Sequence, residues 1–89
     1  MEIKELKEQL LKGTFYYYKD LLFINAKVRN ICLVGKNSIR IGFEGGSVVV
    51  NIDRIKPIRR PGNIVEKFNW CYILKSYDNE CIGYMGETE

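Results

Sequence analysis

The chain is 89 residues long, 46% apolar, and carries a net charge of +3. Such a length holds one domain, whose folding buries only about 60–65% of the unfolded surface, and the apolar content excludes a disordered chain. The charge is milder than that of a dedicated nucleic-acid binder, for which a domain pI above about 9 is expected, and the absence of histidine excludes His-ligated zinc and His-assisted catalysis.

Residues 2–12, EIKELKEQLLK, predict a helix. Ile3, Leu6, Leu10 and Leu11 form an apolar stripe at helical spacing, and Glu8 with Lys12 is a favourable i,i+4 pair. Glu2 and Lys12 complement the helix dipole, and Gly13 is placed as a left-handed cap. A helix this short is marginal alone, so the stripe is expected to dock on a sheet face or on the open end of a barrel. Residues 14–24, TFYYYKDLLFI, are β-prone and aromatic. A bend at Lys19-Asp20 makes them one kinked strand or two short ones. Phe15, Tyr16, Tyr17 and Tyr18 must point alternately to both faces. They read first as strand aromatics shared between core and surface, with Tyr17 as the candidate for stacking a nucleic-acid base.

Residues 26–53 predict a three-stranded meander. Apolar residues alternate through Val28, Cys32 and Val34, then Ile39, Ile41 and Phe43, then Val48, Val50 and Ile52. Turns centred on Lys36-Asn37 and Gly45-Gly46 would set Val34 opposite Ile39, Cys32 opposite Ile41, and Ile41 opposite Val50. Cys32 is thereby assigned to the core, while Ile31, Leu33 and Val49 become an outward apolar set that asks for a cover. The same register places Arg29 opposite Glu44 and Arg40 opposite Asn51, and Asn30, which interrupts the apolar set, marks a bulge.

Residues 54–67 form a basic, proline-containing loop, with Pro57, Pro61 and Gly62 as breakers. Arg54, Lys56, Arg59, Arg60 and Lys67 are five of the fourteen basic residues. A strand that ends in a tight turn and then resumes resembles, in architecture alone, SH3-like and Sm-like small barrels, where a short helical turn links the last two strands. The Asp/Asn and Gly positions diagnostic of the Sm type are not convincingly present, so no family is assigned. Residues 70–85 predict a C-terminal hairpin turning at Asp78-Asn79, with Cys71 and Cys81 on opposite faces and residues 87–89 as a frayed tail.

The fold expected is a single α+β domain over residues 1–89: an N-terminal helix on a bent antiparallel sheet or small SH3-like barrel of about five to six strands. The three cysteines are too few and too scattered for a disulfide scaffold. They read as free thiols of a reducing, cytoplasmic compartment. No apolar run approaches the length of a membrane span, no secretory leader pattern is seen, and the richness in Ile, Lys, Asn and Tyr suits an AT-rich bacterial or phage genome. No cysteine pair has zinc-ligand spacing, no Gly-rich loop precedes a helix, and no nucleophile has a base. The chain therefore reads as non-enzymatic, without metal, cofactor or small-molecule substrate, and as a macromolecule binder.

A protein partner or a second copy is favoured. The contact residues would be the basic loop (Arg54, Lys56, Arg59, Arg60, Lys67), Trp70, Tyr17, and the apolar set Ile31, Leu33 and Val49. The alternative is a nucleic-acid module, with Arg54–Lys67 on phosphates and Trp70 or Tyr17 stacking a base. Carboxylates scattered among the arginines would favour protein; a continuous basic face would favour nucleic acid.

Overall fold

The computed structural model describes residues 3–19, 22–60 and 65–89. Helix α1 (Ile3–Leu11) is followed by seven strands: β1 (Thr14–Lys19), β2 (Leu22–Val34), β3 (Ser38–Phe43), β4 (Gly46–Asn51), β5 (Ile55–Pro57), β6 (Phe68–Lys75) and β7 (Cys81–Thr88). A 3-10 turn, Ile52–Arg54, lies between β4 and β5. Glu2, the bend at Asp20, the Pro61-Gly62 turn and the side chains of Ile3 and Tyr18 lie outside the described residues. No described helix is long and apolar enough to cross a membrane.

All strand pairings are antiparallel, in the order β4-β3-β2-β1-β7-β6-β5. A flat sheet of seven strands at about 4.8 Å spacing would span roughly 29 Å. Its two end strands, β4 and β5, are nevertheless consecutive in the chain and separated by three residues, a tether of at most about 14 Å. The sheet must therefore curl until its ends nearly meet. Among the described residues it does not close: β4 bonds to β3 and β5 to β6, and no ladder joins β4 to β5. The junction is fixed from three sides. Asn51 Oδ1 accepts from Asp53 N–H (2.8 Å), Ile55 N–H donates to the Ile52 carbonyl, and Ile52 N–H donates to the Asn37 carbonyl (2.7 Å).

The core fills the concave side. Leu10, Phe15, Ile39, Ile41, Leu74 and Met85 are each under 2% exposed, and Phe15 stacks on Phe43 with ring centroids 4.6 Å apart. The helix covers this core with Leu6 and Leu10, and Tyr72 O–H donates to Gln9 Oε1 (2.8 Å). Gly13 is not left-handed. The helix ends instead in a tight turn, with Gly13 N–H on the Leu10 carbonyl (3.0 Å).

Of the two readings of residues 14–24, two strands rather than one kinked strand is the one seen: β1 and β2 pair antiparallel, Lys19 with Leu22 and Thr14 with Lys27, and β2 runs on to Val34. The meander exists, in a different register from the one expected. A β-bulge between Val28 and Asn30 inserts Arg29 as an extra residue. The first turn takes three residues, Gly35-Lys36-Asn37, rather than two, so Val34 pairs with Ser38, Cys32 with Arg40 and Ile31 with Ile41, and the bulge lets Val28 share the buried side with Ile31. Ile31 is therefore a core residue, 5% exposed, and Cys32 is exposed, the reverse of the sequence expectation for both. The second turn falls at Glu44-Gly45, where Gly45 takes φ +98°, so Arg40 pairs with Val49 rather than Asn51.

Away from its turn the C-terminal hairpin has the register expected of a turn centred on Asp78-Asn79, Cys71 opposite Gly86 and Leu74 opposite Gly83, but the turn itself takes three residues, Tyr77-Asp78-Asn79, with Ser76 N–H on the Glu80 carbonyl (2.9 Å). A register shift between Leu74 and Lys75 then brings Cys81 opposite Lys75, on the side of the sheet that carries Cys71. Residues 87–89 are no frayed tail. Glu87 and Thr88 pair with Trp70 and Phe68, and Glu89 N–H donates to the Lys67 carbonyl (3.0 Å).

Candidate functional site

The basic and aromatic residues singled out from sequence separate into four places. Arg54 and Lys56 stand at the junction of the two sheet ends. Beside them lie Lys75, at the end of β6, and Tyr77, on the β6–β7 turn; with Asp53 they surround a cleft of about 460 Å³. The Arg54 guanidinium sits over the Tyr77 ring, 5.8 Å from its centroid, and Tyr77 is 77% exposed. A smaller hollow of about 120 Å³ continues the cleft along the end of β4, between Val49 and Val50 on one wall and Ile82 on the other. The cleft is thus the seam of the curled sheet, left open because β4 and β5 do not pair.

Arg59, Arg60 and Lys67 lie elsewhere. They border a hollow of about 380 Å³ that also contains Glu66, Glu89 and Phe68. The Phe68 ring meets Tyr16 edge-on, at 5.8 Å and 81°, on the convex side of β1, so the basic segment of the sequence is divided between two surfaces. Trp70 occupies a third place. Half-buried on the core side, its ring lies against Gly13 and 5.7 Å from that of Tyr72. Tyr17 occupies the fourth. Its ring packs on Phe15 (5.3 Å) and Phe43 (5.6 Å), so it is part of the core's aromatic cluster.

The expected apolar patch is not there. Ile31 is buried. Leu33 (53% exposed) shares the side of Ile39 and Val50, whereas Val49 (48% exposed) shares that of Arg40 and Cys32. Leu33 and Val49 therefore lie on opposite faces.

Carboxylates are interleaved with the basic groups. Glu44 Oε1 is 3.8 Å from the Arg29 guanidinium, Asp53 shares the cleft with Arg54 and Lys56, and Glu66 and Glu89 accompany Arg59, Arg60 and Lys67. Among the thiols, Cys71 is buried, and desolvation pushes it from 9.0 up to about 11, against a weaker pull from a backbone hydrogen bond at Tyr72. Buried thiols of this kind are inert as nucleophiles. Burial also raises Tyr16 and Tyr72. Among the described residues no three His, Cys, Asp or Glu side chains gather as a metal site requires.

Lys75 and Tyr77 were not singled out from sequence. The available signal was position: an aromatic beside the Asp78-Asn79 turn is carried out to a hairpin tip, where little can bury it, and Asn79 does take the left-handed conformation (φ 64°). Comparison of the chain with protein-family models, with curated proteins and with solved structures finds no match.

Proposed function

We propose that the chain is a small, non-enzymatic protein-binding module that holds its partner at the open seam of the sheet. The observation that favours protein over nucleic acid is the interleaving of Glu44, Asp53, Glu66 and Glu89 with basic side chains over the surface, Asp53 being the one of the four that lines the seam. A phosphate-tracking surface needs a run of unopposed positive charge, whereas alternating signs suit the specific, oriented contact of one protein with another. Tyr77 and Arg54 are the residue types that dominate protein interfaces. They are already in contact, so part of the ordering cost of binding has been met before the partner arrives. The 3-10 turn between β4 and β5 supports the finer description of the fold as an SH3-like small barrel with an unclosed seam. The unpaired cysteines support a cytoplasmic setting.

The reading is tested by panning a displayed random-peptide library on the protein and measuring the selected peptides against Tyr77→Ala. A loss of about tenfold or more is expected, since truncating a central interface aromatic costs about 2 kcal/mol. In parallel, single- and double-stranded oligonucleotides are titrated at several salt concentrations, with Arg59→Ala/Arg60→Ala for comparison. Binding no tighter than about 10⁻⁴ M at physiological salt is expected, the ordinary non-specific level. Micromolar binding that falls steeply with salt, and less steeply in the double variant, would overturn the reading in favour of a nucleic-acid module.

A further inference from the structure

The two ends of the sheet are finished differently. β5 is three residues long and ends in Pro57, and short length and proline are two of the usual devices that prevent an edge from recruiting another strand. β4 has neither. It is six residues long, Gly46-Ser-Val-Val-Val-Asn51, with no charge, no proline and three consecutive residues of high β-propensity. Among the described residues β4 pairs only with β3, so the backbone N–H and C=O groups of its other edge have no strand partner. Along the C-terminal half of that edge runs the seam, with Val49 and Val50 on one wall, Ile82 and Tyr77 on the other, and Lys75 and Arg54 at its rim. Against these cations the cleft contains one carboxylate, Asp53, and Lys56 adds a further positive charge.

We propose that the seam takes an extended acidic segment of a partner protein, added as an eighth, antiparallel strand along the free edge of β4. This rests on the protein-binding reading above and names the partner's form: an extended backbone for β4, alternate apolar side chains toward Val50 and Ile82, and alternate carboxylates toward Lys75 and Arg54. β-Strand addition draws its affinity from main-chain hydrogen bonds and its selectivity from what alternate side chains meet. The net positive rim selects acidic over basic segments.

The test uses the whole chain and a fluorescently labelled, capped peptide of alternating glutamate and valine, matched to β4 in length. Lysine–valine and glutamate–proline peptides serve as controls. Binding is read by anisotropy, and the site by amide hydrogen exchange. The glutamate–valine peptide should bind about tenfold or more tightly than either control, and Lys75→Glu should weaken it by a similar factor. It should also slow exchange at the amides of residues 48–51.

Two further peptides, one N-methylated at every valine and one at every glutamate, leave the protein untouched. Successive residues of a strand direct their N–H groups to opposite edges, so one of the two should lose binding and the other keep it. Equal tolerance of both, or binding without protection of β4, means loose charge attraction and overturns strand addition. Absence of binding to the glutamate–valine peptide overturns it as well. In all three cases the protein-binding reading still stands or falls on Tyr77→Ala and the panned peptides. Displacement of the peptide by oligothymidylate assigns the cleft to phosphates and overturns both.

Discussion

Cys71 shows how far one buried side chain can be followed into solution behaviour. Its thiol ionises near 9.0 when free and at about 11 in the fold, because burial disfavours the thiolate. The folded state therefore holds its proton where the unfolded chain has lost it. The stabilisation is complete below about pH 9 and disappears as the pH rises toward 11. Tyr16 and Tyr72 are shifted upward for the same reason, so the loss steepens at the alkaline end. Urea midpoints measured from about pH 8 to 11 should be level and then fall, and Cys71→Ala should start lower and fall less. The same burial predicts two classes of thiol toward an aromatic disulfide reagent: Cys32 and Cys81 exposed and fast, Cys71 reacting only as the protein unfolds. Cys32 is also where the sequence misled. It stands on the period-2 grid that begins at Val28, and nothing in Val28-Arg29-Asn30-Ile31 states that Arg29 will be the extra residue that moves the grid by one.

At the scale of elements, strands were more legible than the turns that set their register. Asp78-Asn79 marks the C-terminal hairpin, yet the turn takes three residues, Tyr77-Asp78-Asn79, and the expected pairing of Leu74 with Gly83 is reached only through the register shift between Leu74 and Lys75. In the meander the strands were legible and their pairing was not, because the three-residue turn Gly35-Lys36-Asn37, the bulge at Arg29 and the turn at Glu44-Gly45 each displace the register without changing the composition of any strand. The break after Lys19 was legible as one of two readings of residues 14–24, and the antiparallel pairing of β1 with a β2 that continues to Val34 was not. The helix was legible from its stripe, and its docking partner follows from packing. Leu10 is fully buried among residues of both halves of the sheet, so the helix bridges the open side of the curl. Leu10→Ala should cost about 3 kcal/mol, seen as a lower urea midpoint. Tyr72→Phe, which removes the bond to Gln9, should cost about 1 kcal/mol. Equal small losses from both would mean that the helix is only loosely attached.

Across the whole molecule, the sheet places its first and last strands side by side near its centre: β1 pairs with β7, Phe15 opposite Met85. The seam, where the functional reading lies, is instead formed from the middle of the chain, where β4 passes through one 3-10 turn into β5. Local signals for both halves of that seam were present in the sequence, in Asn51-Ile-Asp-Arg54 and in Tyr77-Asp-Asn79. Their meeting depends on the curl of all seven strands, which no short stretch encodes. The central position of β7 makes its last residues structural. Glu87 and Thr88 continue the ladder with β6, Asn69 donates to Glu87 Oε1 (3.2 Å), and Glu89 N–H reaches the Lys67 carbonyl. Deleting residues 87–89 should therefore cost about 2 kcal/mol, a few hydrogen bonds at about 0.5–1.5 kcal/mol each, measured by urea unfolding. A deletion that leaves the midpoint unchanged would show those residues to be frayed in solution. Removing all of β7 takes away the strand that joins β1 to β6 and should abolish the cooperative transition, because Met85, the register partner of Phe15 and a member of the same core cluster as Leu74, leaves with it. A chain that unfolds cooperatively without β7 would mean that the meander and helix fold as a unit of their own.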